Sequence, residues 1–551
     1  MKDAALRKHL DSRLARLKTA RQSWEPQMRD ISRFILPRRG EFWSQPNGSR
    51  GRQKNQSVLD ATGTLAARVL VAGLMGGLTS PTRPWFRLTT PAKEVASITA
   101  VKSWFDQCAD RMRMVFNASN LYQVLPQLYE DLIFGQGCAI LDFDFDDVIR
   151  LYPQTNGQFW LALDHRGRVD TMYREFPYTW AQIEDRWPGA DPDAKAKAAG
   201  TEADTEVVIC HAIEPNTAIE AGRLDWAGKP FRSVYWRQGA PEHRVLHRGG
   251  YQEFPVLAPR WAPTGNDAYS RGVGHDALPE VKSLQVYTKR MHMAVDKHVN
   301  PPMGAHISLR GSPSSTLPGA INYFASQDKG ASMWALYQPA PQAIAELERR
   351  IANSQAMIKS ICYADLFLMI SDMEGVQPRN QLELSLRKEE KMLMLGPTLE
   401  ALHDELIEPL IQRTFKIMSE HELFPPAPPE LEGYPLEVEL ISVLAQAQKA
   451  ADLGAIERTA AFVGSLGAAN PAVFDKFDAD EAIDIYNEKV GGPAAIVVGD
   501  DQVAKVRAAR AQQQQAEQVA KLTLAGVQGA KVLSETEVGG GRSALQSVTG
   551  L

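Results

Sequence analysis

The run Asp142-Phe143-Asp144-Phe145-Asp146-Asp147 is the segment that most suggests chemistry. In an extended strand the two-residue period places Asp142, Asp144 and Asp146 on one face. Three such carboxylates could hold Mg²⁺ for phosphodiester hydrolysis, which makes a metal-dependent nuclease the enzymatic alternative. The plainer reading is a half-buried strand with aromatic residues inward and acids outward. His243-x-x-x-His247 beside Glu242 is a weaker metal candidate, because four-residue spacing aligns ligands on a helix and this segment reads as extended. The four cysteines, Cys108, Cys138, Cys210 and Cys362, lie far apart with no C-x-x-C pair, so neither a zinc site nor a disulfide framework is indicated and a reducing compartment is the default. No G-x-x-x-x-G-K-[ST] phosphate loop occurs, and no G-x-S-x-G elbow, H-E-x-x-H or dinucleotide fingerprint stands in a suitable context. The glycines at 73, 76 and 77 fall in a small-residue helix and serve close packing. The expectation is a protein that is not an enzyme and carries no cofactor or metal.

A chain of 551 residues with 44% hydrophobic and 23% charged side chains is of globular composition and long enough for several domains. Its 61 basic and 66 acidic residues give a net charge of −5, and the pI is near 6.2. That disfavours a dedicated nucleic-acid wrapper. The charge is uneven: residues 1–54 carry 14 basic and 5 acidic side chains. Such an N-terminal arm either contacts an acidic partner or phosphate, or is a solvated helix with ion pairs across subunits. The charged start lacks the apolar core of a signal peptide. The longest apolar run, Val69 to Leu78, is about half of what a membrane span needs.

The elements that must position these residues follow from periodicity. Leu6, Leu10, Leu14, Leu17, Trp24, Met28, Ile31 and Ile35 predict helix from Ala4 to about Phe34. A small-residue helix is predicted over Ala61 to Leu78 and a third helix over about Ala100 to Phe116. From about Gly135 to Pro259, alternating runs such as Ala139 to Phe145, Gln158 to Leu163 and Ser233 to Trp236 predict strands and turns. Val281, Leu284, Thr288, Met291 and Val295 then mark a short helix ending at Asn300-Pro301-Pro302. Ile344, Leu347, Ile351, Ile358 and Ile361 mark another, with Ser354 in the missing place of the stripe. The loop-rich residues 303–341 lie between them. A loop is predicted from Asp365 to Asn380, then a long helix to about Glu420, kinked at Gly396-Pro397 and Pro409. Helix returns over about 442–490 and is followed by Ala- and Gln-rich sequence and a Gly/Ser-containing tail from Gly539. The seven-residue stripes pack either within one chain or between subunits. A head-to-tail contact closing into a ring would complete the burial of two such one-sided helices.

At this point the sequence resembles the portal, or head-to-tail connecting, proteins of short-tailed tailed bacteriophages. The likeness spans most of the chain. Trp24, Ile31, Phe34, Pro37, Arg38 and Gly40 carry it first, then Asp60, Leu70 to Leu78, and the most specific run, Ser80-Pro81-Thr82-Arg83-Pro84-Trp85-Phe86. It continues through Phe134-Gly135, Tyr269-Ser270-Arg271-Gly272, Ala277-Leu278-Pro279, Pro301-Pro302, Asp365-Leu366-Phe367 and Leu395-Gly396-Pro397. Val376-Gln377-Pro378-Arg379-Asn380-Gln381 departs from the Thr-Ala-x-Glu-like opening that related portals often show.

The resemblance implies an α+β portal fold with a helical stem, β-rich wing and clip, and α-helical crown, assembled as a twelve-subunit ring around a DNA channel. It divides the chain into an N-terminal arm and wing (1–278), first stem helix (279–299), clip (300–340), second stem helix (341–363) and tunnel loop (364–380). A kinked wing helix with a return strand (381–440), a crown (441–498) and a C-terminal helix with tail (499–551) complete it. Implied roles are nucleation of head assembly, genome packaging and ejection at one capsid vertex, and docking of the terminase motor and of tail adaptors. Implied partners are double-stranded DNA, the terminase large subunit, tail adaptor and nozzle proteins, and scaffolding and major capsid proteins. The implied location is the virion, with assembly in the host cytoplasm and no membrane. The channel-facing candidates are Lys282, Lys289, Met373, Glu374 and Arg379, and the clip candidate for adaptor or motor docking is Arg310. A distant alternative is another head–tail connector component.

Overall fold

A computed structural model describes residues 2–37, 39–40, 57–220, 222–241, 244–305, 307, 333–335, 339–372, 395–431, 433–435, 437–440, 456–467, 476–490, 497–498 and 500–535. They are mixed helix and sheet. The chain forms two compact units, one comprising Met1–Arg87, Cys108–Pro425 and Val438–Ala451, the other Leu88–Gln107, Pro426–Glu437 and Asp452–Leu551.

The single N-terminal helix expected from the periodicity is two helices, α1 (Lys2–Arg21) and α2 (Glu25–Phe34). The chain turns between them because Pro26 starts α2, where its missing N–H interrupts no helical bond. α3 (Thr62–Leu78) is the small-residue helix; it buries Ala66, Ala67, Leu70, Leu74 and Leu78. β1 (Phe86–Thr89), α4 (Lys93–Ser97), α5 (Thr99–Ala118) and α6 (Leu121–Asp131) follow. Trp85 is buried, its ring stacked at 5.8 Å on Phe116 while its indole N–H donates to the Tyr122 hydroxyl at 3.2 Å.

Two antiparallel sheets occupy the region read as strand and turn. In the smaller, β2 (Ala139–Asp144) lies between β3 (Val148–Pro153) and β9 (Val256–Leu257). The larger runs in chain order through β4 (Phe159–Leu163), β5 (Val169–Thr179), β6 (Glu206–Pro215), β7 (Phe231–Arg237) and β8 (His247–Tyr251). Two short helices, α7 (Trp180–Arg186) and α8 (Pro192–Lys197), interrupt it between β5 and β6. They are too brief to set up a periodicity, although Thr179 and Gln182 form a capping box at α7. The two-residue period sorts the larger sheet into two cores. Trp160, Tyr173, Cys210, Val234 and Trp236 pack under Leu10 and Leu14 of α1, while Phe159, Leu161, Met172 and Ile213 face Cys138, Ile140 and Val256.

Among the described residues of the basic N-terminus, α1 is no projecting arm: several of its cations find partners within the chain. α1 lies on the larger sheet, with Lys18 bound to Glu175 at 2.7 Å and Arg13 to the buried Glu214 at 3.3 Å. Arg7 donates to the carbonyls of Arg237 and Arg244 at 3.1 and 3.2 Å. Arg21, 0% exposed, donates to the Phe159 carbonyl between the rings of Phe159 and Tyr269. A count of charges shows the excess but not where its partners are. Here the partners lie 138 to 237 residues downstream along the chain.

α9 (Val273–Val299) is longer than the stem helix expected at 279–299. Pro279 falls inside its first two turns, and the true start is Gly272, whose N–H donates to His275 Nδ1 at 3.2 Å. After α9 come β10 (Met303–Ala305), β11 (Met333–Ala335), which pairs antiparallel with it, α10 (Pro341–Ile361) and α11 (Ala364–Asp372). The loop expected from Asp365 is thus helical to Asp372: nothing breaks the helix before Gly375, and apolar Leu366 and Phe367 are buried. Residues 395–420 are helical, and the regular α-helical pattern is interrupted just before Pro409. The interruption is a π-turn over His403–Ile407. Widening the turn before the proline relieves the clash of its ring with the preceding carbonyl.

In the second unit, helices at 456–467, Ala479–Val490 and Asp500–Glu535 are joined by Arg507 on Asp480 at 2.6 Å and by Tyr486 on Glu457 at 3.0 Å. Phe462, Ile483 and Val506 of these helices are exposed. Among the described residues no helix is long and apolar enough to cross a membrane.

Candidate functional site

α9 and α10 run antiparallel, with Ser354 of α10 opposite Glu280 of α9. The Ser354 hydroxyl donates to Glu280 Oε1 at 2.5 Å, so the gap in the apolar stripe is a buried hydroxyl satisfied by a half-buried carboxylate. Around it Val281, Leu284 and Ile358 are fully buried. α3 packs on the same pair because it carries glycine where larger residues would collide. A Cβ on Gly63 would stand 3.1 Å from Val281, and one on Gly73 would stand 2.2 Å from the Phe367 ring of α11. Gly76 faces open space, so close packing explains Gly73 but not Gly76.

Asp60 fastens the helices together just before α3. Gln285 of α9 accepts from the backbone N–H groups of Leu59 and Asp60 at 2.7 and 2.9 Å and donates to the Asp60 carbonyl at 2.9 Å. The Asp60 carboxylate accepts from Thr62 N–H and from Gln355 Nε2 of α10, each at 2.8 Å. Burial alone would raise its pKa, but the hydrogen bonds from Thr62 and Gln355 outweigh it and hold the carboxyl below its ordinary range. Sequence reasoning singled out Asp60 but missed Gln285 and Gln355. Their only signal is a polar residue interrupting the seam of an amphipathic helix.

The start of α9 is set by a second close approach. Gly135 has φ of 106°, and a Cβ there would fall 1.9 Å from the Ser270 carbonyl oxygen. Gly272 and Gly274 lie equally tight against the carbonyls of Leu132 and Ile133. The Ser270 hydroxyl donates to the Gly135 carbonyl, which also accepts from Trp261 N–H at 2.8 Å. Phe134-Gly135 and Tyr269-Ser270-Arg271-Gly272, singled out separately in the sequence, thus form one crossing.

The far half of α9 is less covered. A cavity of about 410 Å³ is lined by Leu59, Gln285, Val286, Lys289, His292 and Met293. Val286, Met293, Val295 and Val299 are exposed. Lys289 is exposed on the cavity wall, whereas Lys282 is bound to Asp30 of α2 at 2.6 Å and lies 5.7 Å from the centre of the Phe34 ring. Met373, Glu374, Arg379 and Arg310 lie outside the described residues, as do Glu242 and His243.

The aspartate run does not form a metal centre. β2 ends at Asp144, and residues 145–147 make the turn into β3, so Asp146 leaves the face shared by Asp142 and Asp144. Asp142 accepts from the Tyr251 hydroxyl at 3.1 Å and sits opposite Arg150, and Asp144 accepts from Asp147 N–H at 3.3 Å. Among the described residues no three donors that include any of them converge on one point. The expected inward aromatics also fail at the tip. Phe143 stacks on His421 at 4.1 Å, but Phe145 is 94% exposed.

A family profile described as "Bacteriophage head to tail connecting protein" matches residues 7–497. The chain is 39% identical over 535 residues, 96% of each chain, to the portal protein of Salmonella phage epsilon15. It is 38% identical over 556 residues to the probable portal protein of Bordetella phage BPP-1, covering 100% of this chain and 99% of that one.

Proposed function

The chain belongs to the bacteriophage head-to-tail connecting protein family and has a phage portal function, and from that premise we propose that it acts as a twelve-subunit ring at one capsid vertex. The observation that carries the reading is the likeness to named portal proteins along the whole chain, which neither a nuclease nor a short adaptor would show. The ring nucleates head assembly, admits and retains double-stranded DNA, and passes it at ejection. The terminase large subunit, which supplies the ATP hydrolysis, and the tail adaptor and nozzle proteins dock on it, and scaffolding and major capsid proteins surround it. The chain does no bond chemistry of its own. It acts in the virion, after assembly in the host cytoplasm.

In this reading α9 and α10 are the stem, and the segment between them, which includes β10 and β11, is the clip and carries Arg310. The tunnel loop follows α11 and carries Met373, Glu374 and Arg379. The helix through residues 395–420 crosses the wing, and the helices of the second unit build the crown and its extension. The uncovered apolar residues Val286, Met293, Val295 and Val299 of α9 support a stem completed by the neighbouring subunit. A net charge of −5 suits a conduit, because each phosphate neutralised by the lining adds salt-dependent affinity and would make the duplex stick. Lys282 and Lys289 are the stem's channel contacts, with Lys282 sharing its charge with Asp30.

Negative-stain electron microscopy with native mass spectrometry of the full-length chain tests the assembly. Rings with a central hole and about twelve copies are expected, and Met293→Asp should shift the population toward monomer by placing a charge in an apolar contact. A wild-type chain that stays monomeric across salt and protein concentration refutes the ring.

A further inference from the structure

The π-turn near Pro409 does more than relieve a steric clash. In an α-helix residues five apart point about 140° away from one another. In the π-turn the Glu408 N–H bonds to the His403 carbonyl, which brings residues 403 and 408 onto one side of the helix with Asp404 next to them. The side-chain donor atoms of His403, Asp404 and Glu408 all lie within 4.8 Å of one another, the one such trio among the described residues.

The surroundings leave this trio electrostatically unfinished. Among the described residues, neither Asp404 nor Glu408 has an ion-pair partner; Glu408 accepts a hydrogen bond from the neutral Gln412 amide at 2.8 Å. Glu405, which points elsewhere, takes the available cation: Arg260 Nε donates to it at 3.0 Å, and the same guanidinium reaches the carbonyls of Asp267 and Gly167. Nδ1 of His403 is buried without a hydrogen-bond partner. Two carboxylates that lie within 4.8 Å of each other and of an imidazole nitrogen repel one another, and a cation bound among them removes that repulsion.

We propose that His403, Asp404 and Glu408 bind one divalent transition-metal ion, with water in the remaining coordination positions. One imidazole nitrogen and two carboxylate oxygens suit Zn²⁺, Co²⁺ or Mn²⁺ better than Ca²⁺, which takes oxygen alone. Among the described residues no cysteine belongs to the group, so no thiolate joins the set. The bound ion clamps the π-turn closed across His403 and Glu408, beside the Arg260–Glu405 tie that holds this helix to the β-region. The site does not depend on ring assembly or on DNA.

The test uses the full-length chain stripped with chelator and dialysed against Zn²⁺, with bound metal counted by elemental analysis. The wild type should retain one more ion per chain than His403→Gln or Glu408→Gln, whose affinity at this site should fall by at least about tenfold. Asp404 is exposed, so Asp404→Asn perturbs folding least and gives the third arm. Co²⁺ loading adds a spectroscopic readout: a visible absorption band in the wild type that is lost in His403→Gln. If the wild type retains no ion, or if all three variants retain as much Zn²⁺ as the wild type and keep the Co²⁺ band, the ion is held by other residues or by none, and the assignment is overturned.

Discussion

Replacing Gln285 by Leu isolates the fastening between α9 and the segment before α3. The leucine fills nearly the same volume, so no cavity opens, but three hydrogen bonds disappear: those from Leu59 N–H and Asp60 N–H at 2.7 and 2.9 Å, and the one to the Asp60 carbonyl at 2.9 Å. Gln285 is 6% exposed, so water replaces them poorly. At about 1 kcal/mol net for each bond the turn over Leu59 and Asp60 loses about 3 kcal/mol against local opening. One factor of ten corresponds to about 1.4 kcal/mol, so the Leu59 and Asp60 amides should exchange with solvent about 100-fold faster. Hydrogen exchange read by mass spectrometry on a peptide spanning residues 57–62 measures this directly. A peptide from β6 serves as the internal standard and should not change. Gln285→Glu keeps the two accepted bonds and should fall between the wild type and the leucine variant. Equal exchange in the wild type and Gln285→Leu would refute the claim that this side chain holds the turn.

Three further outcomes follow from the same geometry. Gly135→Ala places a methyl group 1.9 Å from a carbonyl oxygen at a positive φ, and should destabilise the first unit by more than about 4 kcal/mol, seen as loss of soluble chain; a soluble variant with the wild-type melting temperature contradicts the crossing. Burial, helped by the nearby Arg271, pushes His275 down to about 4. Its contribution is therefore whole above the ordinary histidine range near pH 6.5 and is lost as pH falls toward 4. His275→Gln, which keeps an acceptor but cannot titrate there, should show less acid destabilisation than the wild type, with parallel melting curves above pH 7. Lys289→Glu should leave subunit stability within about 0.5 kcal/mol and reduce packaging yield; an unchanged yield and packaged DNA length removes Lys289 from the channel. Lys282→Glu is a less clean probe, since it sets a like charge against Asp30.

What the sequence made legible was whatever repeats locally. The stripes of α9 and α10, the small-residue helix α3 and the alternating strands all lie where three-, four- and two-residue steps put them. Ends were harder: Pro279 reads as a helix start, yet Gly272 and His275 cap α9 two turns earlier. Asp146 joined the aspartate face only while the strand was assumed to continue, and a turn of three residues removes it. Asp60 was visible through resemblance, but not its partners Gln285 and Gln355, because nothing local specifies a polar contact made 225 and 295 residues away. The trio at the π-turn was hidden for a different reason. Its spacing of five belongs to neither the α-helical nor the strand period, so only a proline-widened turn assembles it.

The seat of α1 has a consequence for synthesis. This helix leaves the ribosome well before the surface that receives its Leu10, Leu14 and Arg21, which comes from strands ending at Arg237. At about 5–20 residues per second, roughly 10–40 s separate the appearance of the helix from that of its seat. Through that interval a strongly cationic segment with unburied leucines is tethered to a nascent chain beside polyanionic ribosomal RNA. A transient chaperone contact, or a pause once the last strand has emerged, would act on this stretch before any subunit meets another.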